Sequence, residues 1–405
     1  MNAKTIGITI SRLRHKRGWT QAELAQRLNV SGKTVSKWES GLGYPEVTQF
    51  PALANLFRVS IDYLMTGSGK GIVIAGNILT DVVKQIDCYP KIGMLSNITS
   101  VSRAVGGCVP NTGISLSKID RNIPISAVGR VGEDDYGQYV ISQLQQHGID
   151  VSRVIRSRTS PTGFSDVMSL PSGERTFFHA RGANAEFSPD DVDLSGLHCS
   201  LLHIGYILLL DAFDREDDTY GTVMARFLHH IQEMGIETSV DCVSDSSADY
   251  AKKIIPALKY CNYVIVNEIE SCGIWGLSPY RADGSVHLDN IRQTMERMME
   301  CGVRGKVIVH CKDAGFCLDR NGNFTVVPSL RIPKEEIRGS VGAGDAFCAG
   351  CLYGIYNGLS DREILEFASA AAACNLFSEN SVDGMRTKNE ILKLPEQYGR
   401  LDMPS

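Results

Sequence analysis

Between residues 5 and 66 apolar positions recur at helical spacing, and no stretch alternates as a half-buried strand would. The first run, about 6–16, is stopped by Gly18. Thr20 then caps a second helix, Glu23 three residues later completes a capping box, and Ala22, Leu24, Ala25 and Leu28 form its apolar side. Asn29-Val30 turns the chain, and Ser31 caps a third helix that runs through Trp38 to Ser40. Two further helices are expected around 46–57 and 60–65. From Gly71 the period changes. Runs suited to strands at 71–75, 123–131, 201–205, 237–242, 263–266 and 306–310 are interleaved with helical patterns at 220–234, 250–258, 288–299, 344–356 and 361–377. That alternation predicts an α/β body, a mostly parallel sheet with helices on both faces, behind a small all-α head. Residues 154–178 break the rhythm with short extended runs joined by Ser160-Pro161-Thr162-Gly163 and Pro171-Ser172-Gly173, so a small β flap able to exclude water is expected there. The organisation predicted is a head at 1–66, a linker at 67–71, a body at 72–395 with its flap at roughly 154–178, and a tail at 396–405.

Charge sharpens the division. The 405-residue chain is formally −5, yet residues 1–66 carry nine Lys/Arg against four acids, a +5 head that leaves −10 for the rest. A basic head on an acidic body suggests two partners of different chemistry. No window reaches the roughly 18 apolar residues of a membrane span, and no secretory pattern follows Lys4. Twelve cysteines without a framework fit a reducing cytoplasm. Cys348 and Cys351 have CxxC spacing inside the expected helix, with no second CxxC or histidine cluster nearby in sequence. They read as packed thiols rather than metal ligands. The Gly67-Ser68-Gly69-Lys70 wording lacks both the full phosphate-loop pattern and a preceding strand, and reads as the linker.

The strongest chemical signal is Gly342-Ala343-Gly344-Asp345-Ala346-Phe347, with a helical pattern behind it. Glycines at a helix start let backbone N–H groups face an anion, and the helix dipole adds to the attraction. Asp345 follows where a carboxylate can take a proton from an alcohol. The chemistry suggested is phosphoryl transfer to a hydroxyl.

Two resemblances extend this reading. Trp19-Thr20-Gln21-Ala22-Glu23-Leu24-Ala25 and Val30-Ser31-Gly32-Lys33-Thr34-Val35-Ser36-Lys37-Trp38-Glu39-Ser40-Gly41 resemble the two central helices of the Cro/repressor-type (XRE) helix-turn-helix family. The resemblance implies DNA as a partner. Gln21 would contact a phosphate, and Gly32, Lys33, Thr34 and Lys37 would face the major groove, with Val35 and Trp38 packed inside. The body resembles the ribokinase-like (PfkB) carbohydrate kinases. The carrying motifs are Gly106-Gly107 with Asn111, Gly129-Arg130-Val131-Gly132-Glu133-Asp134, Val266-Asn267-Glu268-Ile269-Glu270 and the Gly342–Asp345 run, in family order.

This second resemblance implies ATP and Mg²⁺. Asp345 would be the base, the N–H groups of Gly342, Ala343 and Gly344 the anion hole, and Asn267 with Glu270 would hold Mg²⁺ through water. Asp81 would accept sugar hydroxyls, with Gly106, Gly107 and Asn111 completing that wall. Arg181 reads equally as a partner for an acidic or phosphorylated substrate and as a holder of a structural carboxylate. The segment Val309–Gly315 would meet the nucleotide through Lys312 and Gly315, although Lys312 stands where relatives carry glycine. Gly339 and Ser340 replace the aspartate and threonine that support a monovalent cation in relatives, which removes the usual case for potassium. His310 reads as packed rather than catalytic. The expectation is therefore an ATP-dependent kinase for a sugar or polyol, a cytoplasmic homodimer carrying a DNA-reading head that regulates genes of its own substrate. The alternatives are a sugar-sensing regulator with weak turnover and a nucleoside kinase of the same fold.

Overall fold

A computed structural model describes residues 2–404 except 58, 60, 67–69, 173, 195, 196, 198 and 245–249. Most of the linker expected at 67–71 thus lies outside the described residues. The chain separates into one unit of Met1–Gly71, Asp193–Leu201 and Met234–Ile236, and a second of Ile72–Val192, Leu202–Glu233 and Glu237–Ser405.

Five helices fill the N-terminal unit: α1 (Ala3–Lys16), α2 (Gln21–Leu28), α3 (Gly32–Glu39), α4 (Gln49–Phe57) and α5 (Ile61–Thr66). Their ends follow local chemistry. The Thr20–Glu23 capping box forms at α2, the Ser31 side chain accepts from the Thr34 N–H at α3, and Asn29 ends α2 in the left-handed region at φ 54°. Leu24, Leu28, Val35, Trp38, Leu53 and Leu64 share one core, whereas Ala22, expected on the apolar side, is exposed. A buried ion pair crosses that core. The Arg14 guanidinium donates to both oxygens of Glu39 at 2.6 and 2.8 Å and to the Trp19 carbonyl at 2.6 Å.

The second unit is built around a nine-stranded sheet. In chain order the strands are β1 (Ile72–Gly76), β2 (Leu79–Ile86), β3 (Ile98–Gly106), β4 (Ile125–Gly132), β5 (Asp150–Ser157), β6 (Gly163–Ser169), β7 (Arg175–Ala180), β8 (Leu201–Ile207), the short pair β9 (Glu216–Asp217) and β10 (Gly221–Thr222), β11 (Glu237–Cys242), β12 (Tyr263–Asn267), β13 (Lys306–His310), β14 (Ala314–Asp319) and β15 (Phe324–Pro328). The main sheet runs β15-β14-β13-β12-β11-β8-β1-β4-β5. Pairs β1–β4, β4–β5, β11–β12 and β12–β13 are parallel, while β14 and β15 close one edge antiparallel. The central strands are almost continuously buried, as a sheet covered on both faces requires. The helices are α6 (Cys108–Ile119), α7 (Asp135–Gln146), α8 (Val223–Glu233), α9 (Tyr250–Leu258), α10 (Glu268–Gly273), α11 (Leu288–Glu300), α12 (Ala343–Tyr356), α13 (Asp361–Leu376), α14 (Lys388–Ile391) and α15 (Leu394–Tyr398).

The flap differs from expectation. It is a four-stranded sheet, β3-β2-β6-β7, with β2 and β6 parallel between two antiparallel pairs. Half of it therefore comes from 79–106, and residues 154–157 belong to β5 at the edge of the main sheet. The pairing sets Asp81, Ser165 and His179 in line across β2, β6 and β7. Asp81 lies inside β2. The C-terminal segment is also no loose tail, because Arg400 bridges Leu330 and the Leu401 N–H donates to the Ser329 carbonyl.

Candidate active site

Gly342 caps α12 with φ at +78°, a left-handed conformation that favours glycine, and a Cβ there would run into Ser381. This turn delivers Asp345 to the third position of α12, buried in the body. Three side chains converge on it. The Tyr206 hydroxyl donates to both carboxylate oxygens at 2.8 Å, the Asn111 amide donates at 3.0 Å, and the Thr112 hydroxyl reaches 3.5 Å. Ser381 holds the other end of the Asn111 amide at 2.7 Å. Asn111, expected in the sugar wall, thus has both ends of its amide committed to Asp345 and Ser381. Burial, reinforced by the nearby negative Asp241, pushes the Asp345 carboxyl up to about 7 against those hydrogen bonds.

Two cavities meet at this turn. The smaller, about 320 Å³, is lined by Tyr206, Asp241, Asn267, Glu270, Gly342 and Asp345 among others. The larger, about 650 Å³ and mostly apolar, is walled by Ile332, Ile337, Phe347, Ala373, Leu376 and Leu401, with Lys312 at its edge. Asn267, His310 and Gly344 line both. The first-turn N–H groups of α12 lie at the junction; of these, Ala343 N–H donates to the Ser340 carbonyl at 3.2 Å. His310 packs against Phe347 with ring centroids 4.6 Å apart, and burial lowers its pKa to about 4, so it is neutral.

Asn267 and Glu270 form a capping box at the start of α10. The Asn267 side chain accepts from the Glu270 N–H at 2.8 Å and donates to the Glu270 carboxylate at 2.7 Å. Burial pushes Glu270 up to about 8, with Asp241 adding to the shift and the Asn267 N–H opposing it. A buried carboxylate beside the Asn267 amide on the same cavity as Asp345 is a donor set suited to a hard divalent cation and its water.

Asp81 sits in the flap. The Ser165 register partner and Arg175 hold its pKa down, but burial outweighs them and raises it to about 7. Gly106 lies against the Asp81 carboxylate and Gly107 against Asn77, in each case too close for a Cβ. Two expected positions fall elsewhere. Arg181 pairs with Asp211, its structural alternative. Gly315 lies inside β14 opposite His310, against Phe347 and Leu365, and does not line the large cavity.

On the head, Gly32, Lys33 and Lys37 are exposed along α3 and Thr34 is partly so, while Val35 and Trp38 are buried. The Gln21 amide instead donates to Glu39 at 2.9 Å. Tyr206, Asp241, Thr112 and Ser381 were not singled out from sequence. Only Asp241 left a signal, an acid inside the buried run Thr238–Cys242.

A buried carboxylate beside a helix N-terminus, between a polar and an apolar cavity, is the arrangement of an alcohol phosphotransferase. The model of the pfkB family carbohydrate kinases matches residues 72–388, and the chain belongs to that family. A helix-turn-helix model matches residues 10–64. The chain is 23% identical to a ribokinase of Arabidopsis thaliana over 325 residues, covering 80% of each protein. It is 22% identical to a 5-dehydro-2-deoxygluconokinase of Geobacillus thermodenitrificans over 305 residues, covering 73% of this chain and 86% of that one. The solved Arabidopsis ribokinase, complexed with ribose and ATP, superposes with a TM-score of 0.66 at 20% identity, over 80% of this chain and 98% of that one. The body has the ribokinase-like α/β fold, and the protein is an ATP-dependent carbohydrate kinase that uses a divalent metal. No helix among the described residues is long and apolar enough to cross a membrane.

Proposed function

We propose that the body phosphorylates a sugar or polyol hydroxyl with ATP and Mg²⁺ in the cytoplasm, and that the head binds DNA so that the same substrate also acts as a signal. One observation carries the kinase reading: Asn267, His310 and Gly344 form the shared wall of the two cavities, with Asp345 on one side and the apolar cavity on the other. The adenine ring suits the apolar cavity, and Lys312 at its edge suits the phosphates. Asp81 and the Gly106-Gly107 turn grip the sugar, and Asp345 in its ionised form takes the proton of the attacking hydroxyl as it moves in line onto the γ-phosphorus. The first turn of α12 offers N–H groups to the transferring phosphoryl. Asn267 and Glu270 would hold Mg²⁺ through water, and the cation would supply neutralising charge to the phosphates.

A homodimer through the flap accords with its exposed Val101, Phe177 and Phe178. On the head, Lys33 and Lys37 present cations from α3, and pairing two heads would suit a two-part operator. A second reading, a sugar sensor with slow turnover, is favoured by Tyr206, whose hydroxyl holds both oxygens that the acceptor must reach.

The test is ADP release by the full chain across pentoses, hexoses, sugar acids, sugar phosphates and nucleosides. At least one alcohol should stimulate release, and Asp345→Asn should slow it by roughly 10²–10⁴-fold. Binding of an alcohol without Asp345-dependent ADP would favour the sensor. A nucleoside alone stimulating release would overturn the sugar assignment.

A further inference from the structure

Reaching the wall of the smaller cavity is a second cluster, to which the proposed phosphoryl transfer assigns no role. Cys108 at the start of α6, His203 in β8, Asp241 in β11 and Cys348 in α12 are all buried. Among the described residues, one donor atom each of Cys108, His203 and Asp241 lies within 4.8 Å of the others. His203 Nε2 is 3.4 Å from Asp241 Oδ2 and 3.6 Å from Cys348 Sγ. The second Asp241 oxygen, Oδ1, is buried with no hydrogen-bond partner. That atom and Cys108 Sγ both press on Gly205, where a Cβ would overlap each of them. An unpartnered carboxylate oxygen facing thiols in the interior is costly unless something positive joins it.

We propose that these residues form a site for a thiophilic divalent cation of the Zn²⁺ class, with Cys108, His203, Asp241 and Cys348 as ligands. The two separations from His203 Nε2 fit. A tetrahedral ion at about 2.0 Å from N and O and about 2.3 Å from S sets an N–O edge near 3.3 Å and an N–S edge near 3.5 Å. The imidazole is already oriented, because Nε2 faces the cluster while Nδ1 meets the Ser239 hydroxyl at 3.1 Å. Thiolate and imidazole donors select Zn²⁺ over Mg²⁺, whose hard oxygen ligands lie at Asn267 and Glu270 instead. Asp241 and Cys348 also line the small cavity, which provides an entry path. Burial and the Asp241 charge hold both thiols protonated in the cation's absence, so binding expels their protons to solvent. Cys348 meets His203 on β8, a partner outside the CxxC pair.

The experiment is Co²⁺ titration of the reduced full chain, stripped of metal, without sugar or nucleotide and with excess Mg²⁺ present. Expected are about one Co²⁺ per chain, proton release into weak buffer, and a thiolate-to-cobalt charge-transfer band that Zn²⁺ abolishes. Cys108→Ser and Cys348→Ser should each remove or shift the band and weaken binding by more than about tenfold. His203→Gln is a third probe, with circular dichroism to establish that each variant is folded. Absence of stoichiometric binding by the parent chain, a spectrum without a thiolate band, or a band unchanged in both folded cysteine variants would overturn the site. Because ATP and sugar are absent, none of these outcomes depends on the kinase reading.

Discussion

Removing one hydroxyl group tests the chemistry at its centre. Tyr206 donates to both oxygens of Asp345 at 2.8 Å, in a pocket where burial and Asp241 have pushed that carboxyl up to about 7. A hydrogen bond to a charged group contributes about 1.5–3 kcal/mol, and one pKa unit corresponds to about 1.4 kcal/mol. Tyr206→Phe should therefore move the acid limb of the kcat/KM profile upward by about one to two units. At pH 7 the ionised fraction of Asp345 would fall from about half to roughly a tenth or a hundredth, with the rate recovering as pH rises. The assay is coupled ADP release with the best alcohol from the screen, at fixed saturating ATP from pH 5.5 to 9.5. A Tyr206→Phe profile that keeps its acid limb near 7 would refute this argument. So would a faster rate at pH 7, which would mean that the hydroxyl blocks the acceptor rather than tuning the base.

Further outcomes follow from other parts of the molecule. Gly342→Ala places a Cβ on Ser381 at a left-handed φ, so it should cost about 1–2 kcal/mol of body stability in denaturant melts and slow ADP release far more than it changes sugar affinity. Lys33→Ala with Lys37→Ala should weaken DNA binding across all sequences and flatten the log K against log salt slope by about two, as measured by fluorescence anisotropy; unaltered binding would remove α3 as the contacting helix. The unliganded body should lose stability as pH rises from about 5 to 8. Asp81, Asp345 and Glu270 keep their protons in the folded state up to about 7, 7 and 8, whereas in the unfolded chain they lose them near 4. The folded state binds more protons across that window, so a melting temperature that climbs with pH would contradict the raised values.

Much of the fold was legible because caps and apolar periods are local. The strands at 237–242 and 306–310 and the helix at 250–258 are found with the boundaries their patterns indicated. The first half of the flap is not legible because β3 is exposed over 98–103 and polar-rich there, including Ser100, Ser102 and Arg103, and resembles a loop. In the site, the Gly342–Asp345 turn announced itself through glycine spacing. Tyr206 and Asp241 did not, since no local spacing marks either one and each acquires meaning only when β8 and β11 lie beside α12. The same holds for His203 and Cys348, which no local spacing connects. Gln21 shows the converse: a motif position can be legible while its side chain serves a buried carboxylate, Glu39.

The flap has a consequence for how the protein is made. Its central pairing sets Leu79 against Gly163, so the strand that leaves the ribosome early must wait for one that emerges after β4, α7 and β5. Long-range parallel pairing of this kind pays its loop-closure entropy before it gains contacts. The four-stranded flap would then be among the last parts to assemble. Neither half of the flap can then be moved to another protein as a self-contained piece.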